Sequence, residues 1–255
     1  MKQNNDMQAG YSPHPVLDEY YSDSSRRRQF VSTLFDDTAR YYEWIIRAMS
    51  FGSGEWYRKV ALRRVGLEKQ MKVLDVATGT GPVARSARAI VGETGEVVGL
   101  DRSFNMLLES GRQAANPLVQ AGAESLPFPS DYFDLVSMGY ALRHVDDLKN
   151  TFAEYARVTR PGGRLLILEV TRPTTTVGFW LSKFYLRIVI PAVSAVFMRD
   201  RRAGELMRYY WDTIEYCVPP EKILAAMAAA GLGEVKRHRV FGIFSEYTAT
   251  VPART

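Results

Sequence analysis

Asp75-Val76-Ala77-Thr78-Gly79-Thr80-Gly81 follows the apolar run at residues 71–74 and precedes a helix-forming segment that begins at Pro82. An apolar strand that enters a glycine-rich turn and then a helix is typical of a nucleoside-binding βαβ unit. Twenty residues after Gly81, Asp101 ends a second apolar run. An acid at that distance can accept hydrogen bonds from ribose hydroxyls, and the glycines let the backbone approach a ligand closely. The sequence therefore predicts a nucleoside-containing ligand at this turn.

The glycine spacing alone leaves the kind of nucleoside open. Dinucleotide sites have glycine or, in a looser form, alanine three residues after the second glycine, and Ala84 stands at that position. Asp75 at the strand end favours a cation over a pyrophosphate, because like charges repel. S-adenosylmethionine carries an ammonium and a sulfonium, and we expect it as the cofactor. A dinucleotide, or a glycine-rich turn without a ligand, is the alternative.

Composition and charge narrow the class of protein. The 255 residues are enough for one large domain, or for one domain with a small addition. Cys217 is the only cysteine, which excludes an intrachain disulfide and suits a reducing cytosol. His14, His144 and His238 lack metal-ligand spacing, so we expect no metal.

The net charge of +5 is mild and basic residues mix with acids, so we expect no nucleic-acid partner. The polar residues 1–10 do not resemble a signal peptide, and we expect a cytoplasmic protein.

The order of apolar runs and helix signals predicts an α/β fold. We expect strands near residues 72–77, 96–101, 117–121, 133–138 and 163–170, with helices over 82–91, 103–115 and 147–159. Another helix opens at Pro219-Pro220 and closes at Gly231, and a hairpin of strands 234–240 and 243–251 ends the chain. The predicted architecture is a Rossmann-like, seven-stranded, mostly parallel sheet with one antiparallel strand and helices on both faces.

Three regions lie outside this predicted sheet. Residues 1–25 are polar and predict an N-terminal tail that is loose or only partly ordered. Residues 26–66 predict aromatic-rich helices that form a lid. The α/β domain spans residues 67–255 and carries a helical insertion at about 174–217, before the last two strands.

The segment 178–198 within this insertion is apolar and aromatic. Lys183 and Arg187 interrupt it four residues apart and Pro191 breaks it, which disfavours a bilayer-spanning helix. An apolar lid or a helix lying on a membrane interface fits better, and basic clusters at 26–28, 199–202 and 236–239 would favour an anionic surface. The alternative is a core-packing helix whose Lys and Arg face solvent.

Further motifs narrow the function. The most specific are Met49-Ser50-Phe51-Gly52 and Ala141-Leu142-Arg143; Ala123-Glu124-Ser125-Leu126-Pro127 and Arg160-Pro161-Gly162-Gly163 accompany them. Together with the glycine turn, over roughly residues 30–250, they resemble class I S-adenosylmethionine-dependent methyltransferases. More narrowly, they resemble the quinone-ring C-methyltransferases of ubiquinone and menaquinone biosynthesis. The resemblance implies an enzyme that methylates a carbon of a lipophilic, prenylated quinol.

The resemblance also implies roles for single residues. Thr80 corresponds to a threonine that contacts the cofactor, Asp101 to the ribose-binding acid, and Ala123 to a residue whose backbone meets the adenine. Arg143 corresponds to an arginine of the substrate pocket that helps to activate the quinol. We expect cofactor contacts from Tyr41, Asp75, Ala77, Gly79, Thr80, Gly81, Asp101, Arg102, Met106, Gly122, Ala123, Glu124 and Gly139, and an acceptor pocket formed by Tyr42, Phe51 and Tyr140.

The sequence departs from the family pattern at three positions. Gly122 stands where the family often has Asn or Asp, so one side-chain contact to the adenine is missing or supplied elsewhere. Gly139 and His144 replace the serine and the asparagine of the family's Ser-Phe-Gly-Leu-Arg-Asn segment. Both replacements lie on the substrate side of the site, so the identity of the methyl acceptor stays open.

Arg143 and His144 are the candidate catalytic residues. A quinol carbon becomes nucleophilic when a neighbouring hydroxyl loses its proton, and a nearby cation or base assists that loss. Arg143 can stabilise the phenolate, and His144, with an ordinary pKa of about 6.5, can take the proton. Alternatively, Arg143 braces its loop by pairing with Asp146 or Asp147, and His144 is structural.

Two other functions stay open at this point. One is a methyltransferase for another small molecule, such as a phenol, a sterol or a secondary metabolite. The other is a cofactor-binding scaffold without turnover in a biosynthetic complex. A homodimer, a biosynthetic complex and a peripheral membrane contact are all compatible with the sequence, which does not identify the methyl acceptor.

Overall fold

A computed structural model describes residues 11–50, 52–193 and 201–253. Its strands are β1 (Lys72–Val76), β2 (Glu96–Asp101), β3 (Leu118–Gln120), β4 (Phe133–Gly139), β5 (Thr159–Val170), β6 (Gly233–Val240) and β7 (Phe244–Thr250). In these described ranges they form one sheet in the order β3-β2-β1-β4-β5-β7-β6. Strand β7 runs antiparallel to both neighbours, and the other pairs are parallel. The predicted mostly parallel sheet with one antiparallel strand is confirmed.

Three of the described helices begin at a side chain that satisfies a free backbone N–H group. The described helices are α1 (Ser24–Ser50), α2 (Gly54–Arg64), α3 (Pro82–Val91), α4 (Phe104–Gln113), α5 (Leu148–Val158), α6 (Thr176–Phe184), α7 (Arg201–Glu215) and α8 (Pro220–Ala229). A 3₁₀ turn, Leu142–His144, precedes α5, and a π-helical turn, Tyr185–Val189, continues α6. Ser103, Asp147 and Thr175 cap α4, α5 and α6 by accepting backbone N–H bonds.

The sheet is covered on both faces, which explains why its central strands are mostly apolar. On one face, Phe152 and Tyr155 of α5 and Met227 of α8 pack against the strands. On the other, α2 and α3 bury Leu62 and Ala87. The strand order reverses between β1 and β4, so a cleft is expected at the carboxyl ends of these two strands.

A third apolar cluster joins α1, α6 and α7 to the segment before α1. Leu17 and Tyr21 of that segment are buried. The amide of Leu148 donates to the carbonyl of Tyr11 at 2.9 Å. Residues 11–23 are therefore anchored and not loose: a few apolar side chains hold a stretch whose average composition is polar.

Helix α6 turns its two cations towards α7 and its apolar side chains towards solvent, which leaves the expected interfacial helix as a prediction. Lys183 lies 2.9 Å from a Glu215 carboxylate oxygen and Arg187 lies 2.5 Å from one of Asp212, so both cations face α7. The apolar side chains at 177, 180, 181, 184 and 188 face solvent. A core-packing helix with solvated cations is therefore wrong. The lid assignment also fails for α6, because none of the described residues that line the cleft belongs to this helix. Residues 194–198 of the predicted segment lie outside the described residues.

Candidate cofactor and acceptor site

A cleft with an empty volume of about 830 Å³ opens at the carboxyl ends of β1, β2 and β4. Ala77, Asp101 and Gly139, which end or follow these strands, line its floor, and α1 covers it with Val31, Phe35 and other side chains. The glycine turn, the acid after β2 and the loop after β4 thus meet in one place, as their positions in the sequence predict.

Asp75 holds the glycine turn together from behind the cleft. Its buried carboxylate accepts hydrogen bonds from Thr78 Oγ1 at 2.6 Å, Ser137 Oγ at 2.7 Å and the amide of Ala84 at 3.1 Å. Burial raises the pKa of Asp75 to about 6, although these bonds oppose the shift. Asp75 is not among the described lining residues, so the expected direct contact with a sulfonium is replaced by a role in shaping the turn.

Asp101 is held in place by backbone groups on both of its oxygens. Oδ2 accepts the amide of Gly79 at 2.8 Å, and Oδ1 accepts the amide of Ser103 at 2.9 Å. Burial raises the pKa of this carboxyl. Because each carboxylate oxygen has a second lone-pair position, Asp101 can still accept bonds from vicinal hydroxyls in the cleft.

The cleft next to Asp101 is an apolar slot with a polar edge, which suits a purine base. Leu100, Met106, Ala123 and Val145 line the slot. At its edge, Arg102 Nη2 lies 3.1 Å from Glu124 Oε2. A Cβ added at Gly122 would lie 2.6 Å from Arg102 Nη2, so the Arg102 side chain occupies the space that a longer residue at 122 would need.

The other end of the cleft is aromatic. Phe35 and Tyr42 of α1 face each other edge to face with ring centroids 5.8 Å apart, and Phe35 lies 5.3 Å from the His144 ring. Tyr140 completes this wall with a left-handed backbone at φ 62°. Such a conformation is costly for a tyrosine and persists only where neighbouring bonds enforce it. Here the amide of Tyr140 donates to the carbonyl of Leu168 at 2.7 Å.

Arg143 lies behind this wall and not on it. Its guanidinium is 1% exposed, forms an ion pair with Glu169, and donates to Thr213 Oγ1 at 3.2 Å and to the Tyr140 carbonyl at 3.3 Å. The expected contact of Arg143 with the acceptor is therefore corrected to support of Tyr140. Asp146 and Asp147 are not its partners: Asp146 pairs with α1, and Asp147 caps α5. The true partner lies 26 residues away on β5, which spacing alone could not indicate.

His144 does line the cleft. Its Nδ1 lies 3.3 Å from the Tyr209 hydroxyl, and its buried Nε2 has no hydrogen-bond partner in the described part of the chain. Burial, assisted by the positive charge of Arg143 and by His14 and Arg27, holds the pKa of His144 well below 6.5. The imidazole is therefore neutral at pH 7, and one of its nitrogens can accept a proton.

Helix α1 is fastened over the cleft by polar contacts. Glu43 accepts a bond from Thr80 Oγ1 at 2.6 Å and pairs with Arg85, while Asp36 accepts one from Ser103 Oγ at 2.5 Å. At its first turn, Arg28 Nε donates to Asp146 at 3.0 Å. Thr80 is thus engaged by Glu43 and does not face the cleft. These contacts hold α1 against the loops that surround the cleft.

The cleft brings together most of the predicted residues. Those on its wall are Tyr42, Ala77, Gly79, Asp101, Arg102, Met106, Ala123, Glu124, Gly139, Tyr140 and His144. Those not among the described lining residues are Tyr41, Asp75, Thr80, Gly81, Gly122 and Arg143. Tyr41 packs in the α1–α6–α7 cluster and lies under the Arg40 guanidinium. Phe51 lies outside the described residues.

Sequence reasoning missed several wall residues on α1. Arg28, Val31, Ser32 and Phe35 line the cleft together with Tyr42. Their spacing of three, four and seven residues places them on one helical face, a pattern that could have identified them.

Comparison with known proteins identifies a methyltransferase family that this chain resembles over most of its length. Residues 22–250 match the model of the ubiE/COQ5 methyltransferase family. The ubiquinone/menaquinone biosynthesis C-methyltransferase UbiE of Stutzerimonas stutzeri is 33% identical over 86% of this chain and 87% of that protein. The UbiE of Pseudomonas aeruginosa is 30% identical over 93% of this chain and 95% of its own length.

Solved structures share the fold at low identity. A SAM-dependent methyltransferase from Aquifex aeolicus has a TM-score of 0.54 at 17% identity, covering 76% of this chain and 89% of that one. Haemonchus contortus phosphoethanolamine N-methyltransferase 2, solved in complex with S-adenosyl-L-methionine, has a TM-score of 0.60 at 18% identity, covering 86% of this chain and 57% of that one.

Proposed function

Because this chain belongs to the ubiE/COQ5 methyltransferase family, and is thus an S-adenosylmethionine-dependent methyltransferase, we propose that it methylates a ring carbon of a lipophilic, prenylated quinol in quinone biosynthesis. One observation carries the proposal: a single cleft joins a fixed carboxylate, Asp101, to an aromatic wall that contains His144. A nucleoside and a planar ring can therefore be held side by side, which is what alignment for methyl transfer requires.

The described residues fit the cofactor. The Asp101 carboxylate suits the ribose, the slot between Leu100 and Met106 suits the adenine, and Ala77 with Gly79 leaves room for the amino-acid portion. A Cβ at Gly79 would point towards Tyr42, 3.8 Å from its Cε1, so the missing side chain keeps this part of the cleft open. S-adenosylmethionine supplies an electrophilic methyl group bonded to a positively charged sulfur.

His144 is the proposed base. Its ring lines the cleft, and a ring nitrogen takes the proton of a quinol hydroxyl, so that the electron pair left on that oxygen raises electron density at the adjacent ring carbon. Burial keeps the imidazole neutral at pH 7, so one ring nitrogen has a lone pair free to accept this proton. Phe35, Tyr42 and Tyr140 hold the flat ring by stacking or edge contacts.

Arg143 is a positioning residue in this proposal. Its bond to the Tyr140 carbonyl, together with the Glu169 ion pair, keeps the Tyr140 backbone in its left-handed conformation. The wall that contacts the acceptor ring therefore depends on a pair of charges that the acceptor does not touch.

We also propose that the protein is cytoplasmic and meets its acceptor at a membrane surface, since a prenylated quinol partitions into lipid. N-terminal helix α1 acts as the lid of the site, because its side chains cover the cleft and its carboxylates bind the loops below.

Titration calorimetry with S-adenosylmethionine tests the cofactor side of the proposal. Asp101→Ala should weaken binding about 10- to 150-fold, since bonds to a charged acceptor contribute roughly 1.5–3 kcal/mol. Asp18→Ala, at an exposed position in the segment before α1, is the matched control and should bind normally. Equal affinity of Asp101→Ala and the parent, or binding of NAD in place of S-adenosylmethionine, would contradict the proposal.

A further inference from the structure

The outward face of α6 and its π-helical turn is apolar over three turns. Val177, Trp180, Leu181, Phe184 and Ile188 are 71%, 61%, 64%, 57% and 55% exposed. Their spacing of three and four residues puts them on one side of the helix. Five large apolar side chains on one exposed face form a patch of the kind that marks an interaction surface.

The two cations of this helix fix the orientation of the apolar face. Lys183 and Arg187 are paired with Glu215 and Asp212 of α7, at 2.9 and 2.5 Å. Rolling the helix to bury its apolar face would break both pairs and leave two carboxylates on α7 without partners. The exposed apolar face is therefore enforced by electrostatics inside the protein.

The tip of the β6–β7 hairpin carries another exposed apolar side chain near the start of α6. Phe241 is 76% exposed there. The hairpin lies beside the start of α6, because the amide of Thr171 donates to the carbonyl of Ile243 at 2.8 Å and Arg239 donates to Thr174 Oγ1 at 3.2 Å.

Three arginines border this surface, and none of them belongs to an ion pair among the described residues. Arg172 lies over the Phe179 ring at 4.6 Å, Arg237 donates to Ser245 Oγ, and Arg239 binds Thr174. Glu215, which also interacts with Arg172, is paired with Lys183, and Asp212 is paired with Arg187, so the three arginines leave the border with a net positive charge.

Helical residues Thr176–Val193 are apolar and long enough to cross a bilayer by length and composition alone. Crossing would require the helix to leave α7 and would take Lys183 and Arg187 into the hydrocarbon without their carboxylates, which is costly. A helix lying in the interface keeps both ion pairs, immerses only the exposed aromatic and aliphatic side chains, and brings the arginines to the headgroups.

We infer that the outward face of α6, with Phe241 and the arginine border, docks this methyltransferase onto an anionic lipid surface. The choice of lipid over a second copy of the chain follows from the net positive charge of the arginine border, because two such borders would repel across a symmetric interface. The inference rests on the proposed function in one respect, namely that the acceptor is lipophilic.

Vesicle sedimentation with the full chain tests the docking surface. The parent should bind phosphatidylcholine vesicles that contain phosphatidylglycerol and bind pure phosphatidylcholine more weakly. Trp180→Gln with Phe184→Gln should reduce binding about tenfold or more, since two aromatic anchors are lost. Arg239→Gln should reduce it about fivefold, which corresponds to ~1 kcal/mol per cation at the surface. Trp56→Gln, 60% exposed on α2, is the matched control and should bind like the parent.

Two outcomes would overturn the inference. One is equal vesicle binding by the parent and the Trp180/Phe184 variant. The other is a parent dimer in sedimentation velocity that this variant dissociates, which would make the face a contact between copies. Methylation of a short-tailed, water-soluble quinol is measured in parallel. It should be unchanged in the Trp180/Phe184 variant, and its absence from the parent would reject the proposed function while leaving the docking result to stand.

Discussion

Glu169→Gln should destabilise the protein strongly, because it leaves the Arg143 charge buried without a counterion. Both side chains are almost fully buried, at 1% and 3% exposure. Glu169 also accepts the amide of Leu142 at 2.8 Å. Glutamine has nearly the same shape and keeps one carbonyl oxygen for that amide. The substitution therefore removes the charge and turns the oxygen that accepts from Arg143 Nη1 into an NH2 donor facing the guanidinium.

The expected loss follows from the burial of the pair. Removing one partner of a buried ion pair costs about 3–5 kcal/mol. In a domain of this size ~1 kcal/mol lowers Tm by roughly 2–4 °C, so Tm should fall by roughly 6–20 °C. Arg143→Met in the Glu169→Gln background removes the unpaired charge and should recover a large part of this loss.

Urea unfolding followed by tryptophan fluorescence measures these changes, since Trp211 is buried. Glu246→Gln is the matched control: Glu246 is equally buried, but its partner Arg64 is 40% exposed and can turn to water, so a smaller loss is expected. The reasoning is refuted if Glu169→Gln unfolds within ~1 kcal/mol of the parent, or if the double variant is no more stable than Glu169→Gln alone.

Three further predictions concern the site and its pH response. His144→Asn should remove the acidic limb of the kcat/KM profile, which in the parent lies well below pH 6.5 because burial lowers the imidazole pKa; an unchanged limb would show that His144 is not the base. Glu43→Gln should speed cofactor release in stopped flow, since it loses the Arg85 ion pair that fastens α1, while the exposed control Glu55→Gln should not. The free energy of unfolding should fall as pH drops from about 6.5, because burial lowers the pKa of His14 to about 4 and the unfolded chain binds the extra proton first.

The pH prediction has an opposing contribution and a control. The raised pKa of Asp75, about 6, makes the folded state bind a proton earlier and so favours folding as pH falls through 6. The lowered pKa of His144 adds to the decline, so His14→Gln should make the decline in stability shallower than in the parent. A decline as steep in His14→Gln as in the parent would contradict the assignment.

The glycine turn and Asp101 could be predicted from the sequence because their geometry is local. A strand, a turn with positive φ at Gly79 and Gly81, and an acid at the end of the next parallel strand lie close in any βαβ unit. The strand order reverses between β1 and β4, which places the loop after β4 beside the glycine turn and Asp101. His144 and Tyr140 of that loop could therefore also be predicted as site residues.

Long-range partners were not predictable. Arg143 forms an ion pair with Glu169 of β5, and Asp75 accepts a hydrogen bond from Ser137 of β4. Neither contact follows from local spacing in the sequence. Periodicity showed that α6 has an apolar face. It could not show that the acids of α7 would draw the cations inward and turn that face outward. In both cases the deciding interaction joins residues from different elements.

The site of methylation can be read directly by incubating the protein with methyl-¹³C S-adenosylmethionine and a short-tailed prenylated quinol, followed by NMR of the extracted product. The proposed function predicts a single labelled methyl group bonded to a ring carbon, with the yield abolished or strongly reduced in Asp101→Ala. A label on a quinol oxygen, transfer only to phenols or sterols, or no transfer by a protein that binds the cofactor normally would contradict it.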